Sequence, residues 1–332
     1  MIPCGEMVSY PLSQGDEKGN AVPLDPLAKR LLTMMAAAGP QAKSRPSVEA
    51  RRQSLAKLMQ FARADAPDVT ASDGTLPGPG GDLPYRLYSP SSAGERTAGF
   101  VFFHGGGLVA GSVATHDSIA AALAHATGCR LISVDYRLAP EHKYPAAIDD
   151  AIAATEWVAR QAASLGIDAG RLVVGGDSAG ATLAAIVCQE AAQSAGLSIV
   201  AQCLICPVLD FEETSPSRAE FAEGHLIDRV TIEADLADYL PEGLDAADPR
   251  ISPLRATRLA GLPTAIIHTA EFDPMRDEGN AYARKLLAAG VTVEHVCHDG
   301  MVHNFHAMGA ILPQAQLMLS QIGEQVRRAV ER

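Results

Sequence analysis

The chain of 332 residues is 47% hydrophobic and 20% charged, and it carries a formal net charge of −12. This length and composition allow a large buried core, in one α/β domain with an accessory part or in two domains. Nucleic-acid and anionic-membrane surfaces require clustered Lys and Arg, so the acidic balance excludes a broad surface of either kind. We therefore expect no nucleic-acid partner.

The sequence also indicates a compartment. Its N-terminus lacks the basic start and apolar core of a signal peptide, and no stretch reaches the roughly 20 apolar residues of a membrane span. The six cysteines are scattered through apolar segments, unlike the dense pattern of a small secreted domain, which predicts free and mostly buried thiols. We therefore expect a cytoplasmic protein without a membrane span.

Two helices are predicted after a polar tail of about 20 residues. The segment "DPLAKRLLTMMAAAG" places Leu27, Leu31, Leu32 and Met35 at helical spacing and precedes a Gly-Pro pair. The segment "SVEARRQSLAKLMQFARA" predicts a second helix. The glycines and prolines of "DGTLPGPGGDLP" then predict a break in regular structure.

From Tyr85 onward, short β-rich runs alternate with helical ones. The predicted strands are "YRLYSP", "AGFVFFH", "RLISVDY", "RLVVGG", "IVAQCLICP", "TAIIHTAE" and "VTVEHVC". Strands that alternate with helices predict a mostly parallel central sheet flanked by helices. Continuous apolar runs such as "FVFF" are typical of parallel strands, which are buried on both faces.

One segment interrupts this alternation. Residues 210–254 are rich in charge and proline, contain helical pieces, and are too long for an ordinary connection. We predict that this insertion packs with the N-terminal helices as a helical cap.

The stretch "VVGGDSAGAT" contains the most informative motif, because Gly176, Ser178 and Gly180 fit G-x-S-x-G between a predicted strand and a predicted helix. At such a sharp turn the flanking glycines remove side chains that would clash. The helix N-terminus also directs backbone N–H groups and its dipole toward the serine. Ser178 is thus a candidate nucleophile.

A run of glycines at 105–107 follows His104 and the predicted strand "FVFF". Glycines at this place expose backbone N–H groups without side-chain cover, as an oxyanion hole requires.

The same loop supports a competing interpretation. Gly105, Gly107 and Ala110 also fit the dinucleotide fingerprint G-x-G-x-x-A, and Asp135 ends the next strand, where a ribose-binding acid would lie. A dinucleotide-dependent oxidoreductase is therefore one alternative, although it does not explain Ser178. A catalytically silent ligand-binding protein on the same fold is the other.

A nucleophilic serine needs a base, and the base needs an orienting acid, in this fold class in the chain order Ser, acid, His. Asp273 follows the strand-like run "AIIHTAEF" and precedes a helix, which predicts a loop at the carboxyl edge of the sheet. Glu271 and Asp277 are neighbouring acids that could substitute.

The base is expected in "VCHDGMVHNFHAMG", which offers His298, His303 and His306. His303 is the best placed, because it follows the last strand and Gly300 lets the chain bend. His298 lies near the strand end, and His306 is predicted in a following helix with a surface or packing role.

These features together resemble the hormone-sensitive-lipase-like esterases, also called bacterial family IV, within the α/β-hydrolase fold. The segments "VDYRLAPEHKYPAAIDD", "GLPTAIIHTAEFDPMRDEGNAYARKLLAAG" and "HDGMVHNF" are similar to that family's characteristic segments. The resemblance implies Ser178 as nucleophile, His303 as general base and Asp273 as its orienting acid. It also implies a serine carboxylesterase that acts on short acyl chains.

The resemblance further implies an oxyanion hole made by the N–H groups of Gly105, Gly106 and Ala179. Two residues depart from the family pattern: Leu108 stands where an aromatic residue usually follows the glycines, and Asn304 stands where glycine often follows the histidine. We hypothesise that Leu108 contacts substrate and loosens the wall near the oxyanion hole.

The expected organisation is then an N-terminal tail and cap helices at 1–70, an α/β-hydrolase catalytic domain at 71–209 and 255–332, and a cap insertion at 210–254. We expect a small-molecule ester and water as partners, and the sequence is compatible with a monomer or a homodimer. No metal and no cofactor are expected, because Cys203 and Cys206 lie in an apparent strand and the late histidines match no usual ligand spacing.

Overall fold

The computed structural model describes residues 23–38, 45–61, 63–64, 68–194, 196–212 and 215–332. Its centre is an eight-stranded sheet with the strand order β1-β2-β4-β3-β5-β6-β7-β8. The strands are β1 (Val69–Gly78), β2 (Gly81–Pro90), β3 (Thr97–Phe103), β4 (Arg130–Val134), β5 (Ile167–Asp177), β6 (Ile199–Ile205), β7 (Thr264–Phe272) and β8 (Val293–Val302). β2 pairs antiparallel with β1 and β4, and all other neighbours are parallel.

Helices flank this sheet on both faces. In the described part of the chain they are α1 (Pro26–Ala38), α2 (Val48–Phe61), α3 (Asp117–Thr127), α4 (Ala146–Gln161), α5 (Ala179–Ala191), α6 (Pro216–Glu220), α7 (Arg229–Tyr239), α8 (Arg276–Ala288) and α9 (Pro313–Val330). None of these helices is long and apolar enough to cross a membrane. The predicted N-terminal tail lies outside the described residues.

Strand β3 shows why helices must cover both faces of the sheet. Phe100 and Phe102 pack with side chains of α3 and α9, whereas Val101 and Phe103 pack with those of α4, α5 and α8. Successive side chains of a strand point to opposite faces, so a continuous apolar run requires helices on both sides. The predicted fold, a mostly parallel sheet between helical layers, is confirmed.

The predicted break at "DGTLPGPGGDLP" is wrong. These residues belong to the hairpin of β1 and β2, which pair from Val69 with Pro90 to Gly78 with Gly81. Strand β1 is the edge strand and is exposed along most of its length. An edge strand needs no alternation of apolar residues and tolerates proline, so its sequence does not show the usual strand pattern.

Helices α2 and α7 meet above the loop that follows β3. Arg51 of α2 pairs with Asp235 and Asp238 of α7. Arg52 of α2 donates from Nε to the carbonyl of Val109, at 2.8 Å. Two segments far apart in sequence thus lie together at the carboxyl end of the parallel strands, although the proposed domain boundaries themselves stay a prediction.

Candidate active site

The sharp turn at Ser178 joins β5 directly to α5. Ser178 has φ 51° and ψ −119°, and non-glycine residues rarely adopt a positive φ. A Cβ on Gly176 would lie 2.4 Å from the carbonyl oxygen of Phe103, and one on Gly180 would lie 2.0 Å from the same atom. Both positions must therefore be glycine for the turn to pack against β3.

The side chains of Ser178, His303 and Asp273 form one chain of hydrogen bonds. The Ser178 hydroxyl lies 3.0 Å from Nε2 of His303, and Nδ1 of His303 lies 2.8 Å from Oδ2 of Asp273. All three side chains are buried. The second oxygen of Asp273 accepts the backbone N–H of Met275 at 2.8 Å, which fixes the carboxylate.

The alternative acids make other contacts. Glu271 accepts the backbone N–H of Gly300, and Asp277 accepts the backbone N–H of Ser217. The structure therefore brings Asp273, rather than either neighbour, to His303.

The alternative histidines also contact other residues rather than Ser178. His298 lies 2.8 Å from His268, and its burial lowers the pKa of His298 to about 2. His306 is buried rather than on a surface, and its Nε2 lies 3.3 Å from Asp177. Within the described residues, neither histidine is hydrogen-bonded to Ser178.

The predicted role of Gly105 in the oxyanion hole is wrong. Its backbone N–H donates to Oδ1 of Asp177 at 2.9 Å, so it is directed away from the pocket. Gly107, with φ 66°, instead lines the pocket together with Ser178 and Ala179. Because a run of glycines does not reveal which N–H faces inward, the sequence could not settle this point.

Leu108 does not contact the pocket, so its predicted substrate-binding role is also wrong. The side chain is fully buried in the core on the α4 and α5 side of the sheet. Its backbone has φ 62°, and its carbonyl accepts the N–H of Ala139 at 2.9 Å. This backbone conformation directs Leu108 into the protein rather than toward Ser178.

Asp177 is hydrogen-bonded to the loop of residues 105–107, which we call the glycine loop. Besides the N–H of Gly105, its carboxylate contacts His306 and lies 3.5 Å from Nε2 of His116. Burial alone would raise the pKa of Asp177, but the imidazoles of His116 and His306 lower it well below its usual range. No motif in the sequence pointed to His116.

The pocket above Ser178 is mostly apolar. Its apolar lining includes Val208, Phe211, Ile227, Ile232, Leu236 and Met275. Two charged residues, Asp235 and Arg218, also line it, and Arg218 forms a buried ion pair with Glu278 at 2.6 Å. Apolar walls with a few placed polar groups are typical of small-molecule sites.

Asp235 is the charged residue next to the glycine loop. Burial raises the pKa of its carboxyl to about 7, although Arg51 opposes the change. The spacing of Ile232, Asp235 and Leu236 along α7 is the signal that could have placed them on one face from sequence.

A metal-like cluster overlaps this site. Ligand atoms of Cys206, Asp273 and His303 lie within 4.8 Å of one another. Two of these residues are already hydrogen-bonded to each other, and burial raises the pKa of the Cys206 thiol well above its usual value. A thiol that keeps its proton is a poor metal ligand, so the donor set does not favour a metal here.

The glycine loop does not match a dinucleotide site. After β3 the chain runs through residues 104–116 before α3 begins at Asp117. A dinucleotide fingerprint places its glycines at the start of a helix, whose N-terminus binds the pyrophosphate. The oxidoreductase alternative therefore lacks its structural context.

Comparisons with known proteins show the family to which the chain belongs. Residues 100–307 match the family described as alpha/beta hydrolase fold. The carboxylic ester hydrolase LipN of Mycobacterium tuberculosis is 42% identical over 243 residues, which cover 71% of this chain and 64% of LipN. The ethyl acetate hydrolase of Pseudomonas putida is 38% identical over 284 residues, which cover 84% of this chain and 89% of that protein.

A solved structure shows the same likeness. The hyperthermophilic esterase of the archaeon Pyrobaculum calidifontis superposes with a TM-score of 0.89 at 37% identity, over 93% of this chain and 99% of that one. The fold and the site thus define an α/β hydrolase of the esterase type. The chain belongs to the α/β-hydrolase fold family, and the family predicted from its sequence is confirmed.

Proposed function

We propose that this protein is a serine carboxylesterase that hydrolyses esters of short to medium acyl chains through an acyl-enzyme. The observation that supports this proposal is the chain of hydrogen bonds from Ser178 through His303 to Asp273. Ser178, at one end of the chain, lines an apolar pocket. His303 takes the proton of the Ser178 hydroxyl as the oxygen attacks the ester carbonyl. The same proton then passes to the leaving alcohol.

The oxyanion in this proposal is stabilised by backbone N–H groups of Gly106, Gly107 and Ala179. Gly107 and Ala179 line the pocket beside Ser178, and Ala179 begins α5, whose dipole favours negative charge there. Gly105 contributes indirectly, because its hydrogen bond to Asp177 holds the loop in place. Water then attacks the acyl-enzyme with His303 as base, which frees the acid.

Asp273 acts by orienting His303. Its carboxylate accepts from Nδ1 and leaves Nε2 of the neutral imidazole free to accept the Ser178 proton. It also stabilises the imidazolium that forms during attack.

The test is hydrolysis of p-nitrophenyl esters of increasing acyl length by the wild type and by Ser178→Ala, with no metal or nucleotide added. We expect the wild type to favour short chains and the variant to lose at least about a thousandfold in kcat. Equal rates in the two proteins, with both folded by circular dichroism, would overturn the proposal.

For compartment and assembly, we propose a cytoplasmic enzyme that forms a homodimer. Four of the described cysteines are free, buried thiols, as expected in a reducing compartment: Cys129, Cys188, Cys203 and Cys206. Exposed Leu27, Met34 and Met35 of α1 offer an apolar surface to a second copy. Light scattering across a concentration series tests the dimer, and a constant monomer mass would contradict it.

A further inference from the structure

Asp235 is the acid that lines the pocket described above, and α7 carries it there. Helical spacing puts Ile232, Asp235 and Leu236 on one face, and all three line the pocket with Ser178. A carboxylate among apolar side chains costs free energy unless its oxygens are hydrogen-bonded. The position of each oxygen therefore matters.

The two oxygens of Asp235 have different surroundings. Oδ1 accepts a hydrogen bond from Nη1 of Arg51. Oδ2 lies against Gly107, so close that a Cβ on that glycine would be 2.1 Å from it. No hydrogen bond to Oδ2 comes from the residues that the structure describes, which leaves an acceptor beside the loop that faces Ser178.

The charge around Asp235 favours a neutral donor for this acceptor. Arg51 lies between Asp235 and Asp238, and Arg45 also pairs with Asp238. When Asp235 is ionised, above its pKa of about 7, two arginines balance two carboxylates and no net negative charge remains to attract a cation. A hydroxyl group supplies one hydrogen bond to Oδ2 without adding charge.

We propose that Asp235 determines substrate specificity by accepting, at Oδ2, a hydrogen bond from a hydroxyl group on a short ester, in its acid or its alcohol part. This inference rests on the proposed esterase function. A site built to bind a substrate hydroxyl discriminates against the analogue that lacks it, because its own buried polar group is then left without a partner.

The experiment compares three esters of similar size: ethyl butyrate, ethyl 3-hydroxybutyrate and 2-hydroxyethyl butyrate. The value of kcat/KM is measured by titration of released acid for the wild type, Asp235→Leu and Asp235→Asn. We expect the preference for at least one hydroxy ester over ethyl butyrate to fall about tenfold in Asp235→Leu, because leucine removes the acceptor. We expect a smaller fall in Asp235→Asn, because the substrate hydroxyl can still accept a hydrogen bond from the asparagine amide.

Asp238→Asn is the matched control, because it also removes an ion pair with Arg51 from the same helix but does not line the pocket. It should keep the wild-type preference. An equal fall in Asp238→Asn would assign the effect to the position of α7 and overturn the proposal. An unchanged preference in Asp235→Leu would overturn it as well, and the calorimetric titration described below tests the proposal if that variant does not fold.

The same measurements separate this inference from the esterase function. Hydrolysis of ethyl butyrate that is lost in Ser178→Ala but shows no Asp235-dependent preference would leave the esterase function standing and overturn only the specificity. Calorimetric titration of ethyl butyrate and the two hydroxy esters into Ser178→Ala gives a second measure without turnover. We expect tighter binding of at least one hydroxy ester, and equal affinities would contradict the proposal.

Discussion

The buried carboxylate of Asp177 connects residues that are far apart in the chain: Gly105 in the glycine loop, His116 before α3, and His306 after the candidate base. Its removal leaves a buried N–H and two buried imidazoles without their acceptor. Such losses are costly, because the groups that remain stay desolvated. One side chain thus ties the position of the glycine loop to the segment that carries His303.

For Asp177→Ala we expect the free energy of unfolding at pH 7 to fall by about 3 kcal/mol, and kcat to fall more than KM changes. The lowered pKa of Asp177 means that its stabilisation is present above the unfolded pKa of about 4 and is lost as pH falls below it. Urea unfolding at pH 7 and pH 3 should therefore show the difference between variant and wild type shrinking at pH 3. Asp168→Ala, in the same strand but with a side chain that is 36% exposed, should change the free energy of unfolding little.

The raised pKa of Asp235 predicts the opposite dependence of stability on pH. Its native pKa of about 7 lies above the unfolded value of about 4, so the native state binds the proton more tightly between these two pH values. Wild-type stability then decreases relative to Asp235→Asn as pH rises from about 4 to 7, by a few kcal/mol at about 1.4 kcal/mol per pKa unit.

Urea unfolding at intervals from pH 4 to 8 checks this prediction. Asp235→Leu is the control, because it should show the same pH dependence relative to wild type although its absolute stability differs. A difference between wild type and variants that is constant with pH would contradict a titration of Asp235 in this range.

Among the elements, the turn between β5 and α5 depends on close approach of backbone to backbone. A Cβ on Gly180 would lie 2.0 Å from the carbonyl oxygen of Phe103 and 2.6 Å from that of His104. Gly180→Ala should therefore lower the melting temperature strongly, at a cost of about 1–3 kcal/mol or more, even though alanine favours helix formation.

Gly94→Ala is the matched control for this prediction, because nothing lies within 4 Å of its Cβ position. It should leave the melting temperature unchanged or raise it slightly. If the two variants have the same melting temperature, the contact of the turn with β3 does not require glycine at position 180.

The elements also show where sequence patterns are informative. The strands of the sheet interior were predicted because two-sided burial demands continuous apolar runs such as that of β3. Strand β1 was missed because most of its residues are exposed and it contains Gly74 and Pro77. Ser178, Asp273 and His303 were candidates because each follows a predicted strand, and carboxyl ends of parallel strands share one edge of the sheet.

Contacts between elements far apart in sequence could not be predicted in this way. The pairing of α2 with α7 depends on long-range packing that no local pattern encodes, so Asp235 was not recognised as a pocket residue. The direction of the Gly105 N–H depends equally on the position of Asp177, 72 residues away.

At the scale of the whole molecule, α2 and α7 are connected by Arg51, whose side chain is only 5% exposed. Substitution by alanine leaves Asp235 and Asp238 without this partner, and a buried carboxylate that loses its partner typically costs 3–5 kcal/mol. The central sheet does not depend on Arg51, because its core side chains pack mainly among themselves and with α3, α4, α5, α8 and α9. Helices α2 and α7 each add a single buried side chain to these clusters, Met59 and Tyr239. The loss should therefore be local.

For Arg51→Ala we expect faster hydrogen exchange in α2 and α7, unchanged exchange in β3 and β5, and reduced esterase activity because α7 forms one wall of the pocket. Arg45→Ala is the control, since Arg45 binds the same Asp238 but is 54% exposed, and exposed ion pairs contribute little. If exchange in the sheet accelerates together with that in α2 and α7, these helices do not open separately, and the predicted cap is part of one cooperative unit with the sheet.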